Sequence, residues 1–260
     1  MQDSSLIRLS FFIGFFCLFA LWEYLYPRKK LSQNKLIRWL SNLGLIFTNS
    51  FLLAVIMPIL AFQAALIADK ESWGLFNLIE IPNWMAIVVC VVLFDMAIYL
   101  QHLLFHRLPI LWRLHRVHHT DQDIDVTTAS RFHPIEIILS VWIKIACVML
   151  LGAPAIAVVI FEIVLNVSAM FNHSNAKLPL AIDKILRKVI VTPDMHRVHH
   201  SIVVKETHSN FGFFLSIWDR IFNTYISQPT GGHENCLIGV PEFRQSREQY
   251  LDKMLTQPFR

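Results

Sequence analysis

Eight of the chain's twelve histidines fall into three tight clusters. His102 and His106 are spaced HxxxH, and the pentapeptide HRVHH occurs twice, once with His115, His118 and His119 and once with His196, His199 and His200. A duplicated structural unit would repeat its flanks, yet Leu111-Trp112 stands upstream of one copy and Thr192-Pro193 at the same offset of the other. The repetition is therefore chemical. On a helix, positions i, i+3 and i+4 share a face, so each cluster can aim two or three imidazoles at one place. Neutral imidazole is a common ligand for first-row transition metals. Eight exceed the roughly four to six donors that one ion takes, so two metal ions are the economical reading. No cysteine sits near the clusters, which argues against a closed structural zinc site, and ligand type alone leaves iron and zinc open.

The elements that must position these residues are membrane helices. At 260 residues, 55% hydrophobic and only 16% charged, the composition is that of an integral membrane protein. Apolar runs cover about 6–26, 42–68, 84–105, 134–151 and 153–171, each long enough to cross roughly 30 Å of hydrocarbon as a helix. The first has no small-residue cleavage site and reads as a retained anchor. Gly152 and Pro154 break the last two into a hairpin. The expected fold is an all-α integral membrane protein with about four to five transmembrane or re-entrant helices under a cytosolic helical cap carrying the histidine-rich di-metal site.

Orientation follows from the short loops. The first carries Arg28, Lys29, Lys30, Lys35 and Arg38 with no acid, which predicts a cytoplasmic loop. Five crossings then put the N-terminus outside and both HRVHH copies and the C-terminus in the cytoplasm. The segment around Trp73, Leu75, Phe76 and Ile79 is expected in the interface, an ordinary loop being the alternative. Cys17, Cys90, Cys147 and Cys236 are scattered without CxxC spacing and are expected reduced and inert. The net charge of +4 is modest and clustered, and no nucleic-acid motif accompanies it.

The order HxxxH, HxxHH, HxxHH, with "FDMAIYLQHLLFHRLPILWRLHRVHHT" and "TPDMHRVHHSIVVKETHSNFGFFLSIWDRIFNTY", resembles the fatty acid hydroxylase and sterol desaturase superfamily over about residues 85–228. The resemblance implies two iron ions, O2 as cosubstrate, a membrane lipid as substrate, and electrons from a separate protein of cytochrome b5-like or ferredoxin-like type. It divides the chain into anchor helices over 1–82, a catalytic domain over 83–228 and a C-terminal tail over 229–260. The expected activity is hydroxylation of a fatty acyl, sterol or related lipid. Desaturation at the same centre is the alternative, and a histidine-rich metal transporter or a zinc-loaded relative the readings of other classes. A transporter would spread its ligands near the bilayer midplane, whereas these lie at helix ends.

Further site residues are expected around the clusters. His173, where the fifth run ends, matches a family histidine between the two HxxHH motifs and is expected as a ninth ligand, against the alternative of a helix cap. Asp95 lies on nearly the same helical face as His102 and His106, about 10 Å deeper, and is expected either to support the site or to pair with Arg107 or Arg197. Asn210, Gly212 and Trp218-Asp219-Arg220 match the family's C-terminal pattern, with Asn210 the candidate supporting residue and shaping of the cap the competing role. Lys144 and Glu162 flank Gly152 at similar depth and are expected to approach each other or share a polar cavity. His133, His208 and His233 are expected to hydrogen-bond or face solvent.

Overall fold

The computed structural model describes residues 2–260, with side chains from residue 5, and its described residues form helices joined by loops and isolated bridges. Five segments are long and apolar enough to cross a membrane. They belong to α1 (Gln2–Leu25), α2 (Lys35–Ile56) with α3 (Ala61–Lys70) and the one-turn α4 (Leu75–Leu78), α5 (Asn83–Arg107), α7 (Pro134–Leu151) and α8 (Ala155–His173). Between α5 and α7 lies α6 (Pro109–His119), and α9 (Leu180–Leu186) and α10 (Pro193–His199) follow α8. The chain is thus a multi-pass membrane protein, as its apolar runs predict.

The second run is not one helix. Pro58 has no N–H to give, and the residue before a proline is driven extended, so α2 stops as Met57 takes φ −89° and ψ 119°. The chain resumes as α3, whose buried Ala61, Ala64, Ala65 and Ala68 let it lie close on α7 and α8.

The hairpin forms as the sequence predicts. His133 caps α7 by accepting from the Ile135 amide, Pro134 fills the first helical position, and Gly152 ends the helix at φ 62°. A side chain at Gly152 would sit 2.5 Å from the Trp73 carbonyl oxygen, and one at Gly74 2.0 Å from the Gly152 nitrogen. The hairpin tip therefore docks against the α3–α4 turn through two glycines. There Trp73, Leu75, Leu78 and Ile79 stand exposed, while Phe76 packs into the core.

That core gathers Ala64 and Ala65 of α3, Phe94 and Ile98 of α5, Val141 and Ile145 of α7 and Phe161 of α8. Large apolar side chains such as Phe11, Phe47, Val55, Val88 and Leu150 face outward, the inverse of a soluble protein and right for lipid contact. Helix α1 packs on α8 through tilted ring contacts, with Phe19 and Trp22 against Phe171.

The cap is pinned by buried charge. Arg38, fully buried on α2, donates to Asp121 at 2.7 and 2.9 Å and to Asp125 at 2.6 Å. Asp123 accepts from the amides of Ser32 and Gln33, and Glu23 from those of Val126 and Asn175. Burial alone would raise the Asp121 carboxyl, but Arg38 and Arg131 outweigh it and hold it at about 2. Residues past 229 return over this layer, with Met254 packed on Leu45 and Val117 and the buried Gln257 accepting from the Thr120 hydroxyl.

Candidate metal centre

Two local devices fold the histidines together. Leu108, extended ahead of Pro109, makes a sharp corner that turns α6 back along the end of α5 and brings His115 and His119 to His102 and His106. Helix α10 starts with a Thr192 cap on the Met195 amide and Pro193 at its first position, and it packs on the end of α8 where His173 lies.

The result is two groups of imidazoles, all nine buried. His102, His106, His115, His119 and His199 form one group; His118, His173, His196 and His200 form the other. Within each group the candidate ligand atoms lie within 4.8 Å of one another. The nine are the histidines singled out from spacing and family pattern, but they are shared out differently from the three sequence clusters. In each HRVHH copy, positions i and i+4 stay with one group while position i+3 crosses to the other. His118 thus leaves His115 and His119, and His199 leaves His196 and His200. The pentapeptide occurs twice because each copy serves both groups.

The outer nitrogens are held by the protein. His102 Nδ1 meets the Phe211 carbonyl at 2.8 Å, His173 Nδ1 that of Ala169 at 2.7 Å, His199 Nδ1 that of Ser209 at 2.7 Å, and His115 Nδ1 the Glu136 carboxylate at 2.6 Å. An acceptor there keeps the proton on Nδ1 and leaves Nε2 as a lone pair, the arrangement metal-bound histidines use. The Nε2 atoms of His102, His115 and His199 are buried and have no hydrogen-bond partner, and both ring nitrogens of His106, His119 and His200 lack one. So many orphaned polar atoms in one place carry a large penalty unless a cation satisfies them. Burial, with crowding by neighbouring imidazoles, pushes His118, His119, His196, His199 and His200 well below the usual histidine value. It takes His115 to about 3. They stay neutral at physiological pH, as ligands must.

A cavity of about 280 Å³ opens beside the first group. His102, His115 and Glu136 stand at one end; Phe12 and Phe16 of α1, Leu53 of α2, Ile98 of α5 and Leu165 of α8 carry its walls into the bundle. Its chemistry is that of a slot for an apolar chain beside a metal site.

The supporting residues act through the backbone. Asp95 pairs with neither Arg107 nor Arg197; it accepts from the Phe214 and Leu215 amides and from the Trp218 indole at 2.8 Å. It thereby holds the loop whose Phe211 carbonyl engages His102. Asn210, in the left-handed region at φ 52°, donates to the Met195 and Ile226 carbonyls and accepts from the Ile226 amide. It ties α10 to the strap beyond. Asp219 closes the same loop on the Phe211 and Gly212 amides, where a side chain on Gly212 would collide with its carboxylate. His133 is a helix cap, His233 sits 3.7 Å from Asp194, and His208 packs against the rings of His106 and Trp112; none joins either group.

Glu162 does not pair with Lys144. Its partner is Arg8 of α1, and the two hairpin residues meet only as walls of one small, mainly apolar void. Equal depth along a hairpin could not foresee a third helix supplying the cation.

Sequence reasoning missed Glu136 and the Arg38 set. The signal for Glu136 was a carboxylate in the first turn of an apolar helix next to the clusters. For Arg38 there was none, because its acids lie some 85 positions away in sequence.

The family profile described as fatty acid hydroxylase matches residues 87–224. Over 148 residues the chain is 30% identical to the ornithine lipid hydroxylase of Rhizobium tropici, covering 57% of this chain and 44% of the relative. It is 30% identical over 157 residues to the alkylglycerol monooxygenase of Homo sapiens, 60% of this chain and 34% of that one. To the cholesterol 25-hydroxylase of Rattus norvegicus it is 24% identical over 158 residues, 58% and 52% of the two chains. The matched stretch thus spans between about a third and a half of these relatives. No solved structure matches. With the profile covering more than half of its length and all nine clustered histidines inside the matched residues, the chain belongs to the fatty acid hydroxylase family.

Proposed function

We propose that the chain is an O2-dependent lipid hydroxylase whose nine histidines hold two iron ions. One observation carries this reading: of two adjacent groups of neutral imidazoles, the first reaches through His102 and His115 into a mainly apolar cavity that runs between membrane helices. Attack on an unactivated C–H bond lies beyond any side-chain acid, base or nucleophile, so bound iron supplies the oxidising chemistry. One oxygen atom of O2 enters the C–H bond, the other leaves as water with two protons taken from solvent, and a separate electron-transfer protein, cytochrome b5-like or ferredoxin-like, provides the electron pair. The protein's own work is to bind and orient. The cavity aligns the chain beside His102 and His115, Glu136 and the loop carbonyls fix the imidazoles, and Asp95 and Asn210 hold that loop. The curated relatives named above are lipid hydroxylases and monooxygenases, which favours hydroxylation over desaturation.

The centre faces the cytoplasm and the N-terminus lies outside. Arg38 is neutralised by Asp121 and Asp125 and Arg28 pairs with Asp194, so this orientation rests on Lys29, Lys30 and Lys35.

The test is metal analysis of purified, membrane-extracted protein reconstituted anaerobically with iron, followed by lipid analysis of cells expressing it. The expected result is two iron ions per chain and a lipid gaining one oxygen atom, both lost in His118→Ala and His199→Ala. One ion per chain in folded protein, or an unsaturated product without added oxygen, overturns it.

A further inference from the structure

The cavity is not apolar throughout. Along α7, Glu136, Ser140 and Lys144 recur every four residues and all line it, so one polar stripe runs from the first histidine group into the bundle. At the histidine end the groups without partners are acceptors: Glu136 Oε2, Asn49 Oδ1 and Gln101 Oε1, all buried. At the other end stands Lys144, the one lysine or arginine among the described residues that line the cavity. Two turns of helix separate it from Glu136, about 12 Å of rise.

Lys144 makes no ion pair among the described residues, and the carboxylate facing the neighbouring void, Glu162, is taken by Arg8. A cation at mid-helix in a membrane bundle that faces a cavity with no carboxylate in ion-pair contact is costly, and such residues typically mark a ligand or ion path. An anionic group entering the cavity removes that cost and makes a charge-assisted hydrogen bond, whereas a purely hydrocarbon ligand leaves the cost in place.

We propose that Lys144 anchors a carboxylate on the lipid substrate, so that its separation from the first histidine group sets which carbon along the chain is oxidised. The assignment rests on the lipid-oxidising reading of the histidine site. It turns the cavity into a ruler: the charged end is held inside the bundle, and the distance between Lys144 and His102 selects a carbon within the chain.

The test is ligand binding to the 260-residue chain reconstituted anaerobically with iron in detergent, with palmitic acid and methyl palmitate each displacing a fluorescent acyl probe. The wild type is expected to bind the acid about tenfold more tightly than the ester, the scale of one charge-assisted hydrogen bond. Lys144→Met should bring that ratio to about one with ester affinity unchanged, and Lys144→Arg should keep the preference. Equal binding of acid and ester by the wild type, or a preference that survives Lys144→Met, overturns the proposal. Metal content measured on the same preparations separates the two claims. Two irons without acid preference sink only the anchor, and acid preference without metal sinks only the lipid-oxidising reading.

Discussion

The Nε2 atom of His173 lies 3.0 Å from Nε2 of His118, and Nε2 of His196 lies equally close on another side. With its Nδ1 proton given to the Ala169 carbonyl, His173 has one lone pair to offer two neighbours. Hydrogen bonding satisfies one of them at most, whereas a cation among the three nitrogens satisfies all. His173→Gln should therefore strip metal from the second group while leaving expression and membrane insertion intact, read as iron per chain after gel filtration. Full occupancy would show His173 to be only a helix cap.

Glu136 sets the tautomer of His115 through a 2.6 Å contact. Glu136→Leu removes the acceptor and should weaken metal binding by the first group about 10–100-fold, the usual cost of losing a partner behind a ligand. Glu136→Gln keeps an oxygen acceptor and should fall between that variant and wild type. Competition with a chelator of known affinity reads both.

Asp95 holds three donors from the 214–218 loop. In Asp95→Leu those donors lose their acceptor and the Phe211 carbonyl is no longer fixed against His102. The expected cost is on the order of 3 kcal/mol in thermal stability in detergent, with iron content falling in parallel. Asp95→Asn retains an oxygen and should lose less of both. A normal iron content in a destabilised Asp95→Leu protein would separate the loop from the centre.

Arg38→Met leaves Asp121 and Asp125 buried without their main cation. Breaking a buried ion pair from one side costs about 3–5 kcal/mol, so this variant should accumulate poorly or melt early. Adding Asp125→Asn should recover part of the loss, because one stranded charge is removed; a double variant no better than the single would refute the account.

The parts of the site visible in sequence are those written at short range. HxxxH and HxxHH are local periodicities, and a helix converts them directly into shared faces, so eight of the nine histidines and the five apolar segments could be read without coordinates, while His173 came from the family resemblance. The partition of the histidines could not. Whether His118 joins His115 or crosses to His173 depends on how α6 meets α8 and α10, a packing outcome that no spacing encodes. Arg38 and Glu162 teach the same lesson. The first, read as a loop charge, is sealed inside the cap by acids from a distant loop, and the second takes its partner from α1 instead of its own hairpin. Pro58, which splits the second crossing, is a break that the sequence carries within the apolar run over 42–68.

Because each HRVHH copy is divided between the groups, neither group is complete until the later copy has been made: the first waits for His199 and the second for His200. At a synthesis rate of about 5–20 residues per second, the stretch from position 102 to position 200 takes on the order of ten seconds. Before position 196 the first group has at most four of its five imidazoles and the second at most two of its four. The centre is assembled after most of the membrane segments already exist, so a nascent chain halted before position 196 should insert but retain no iron.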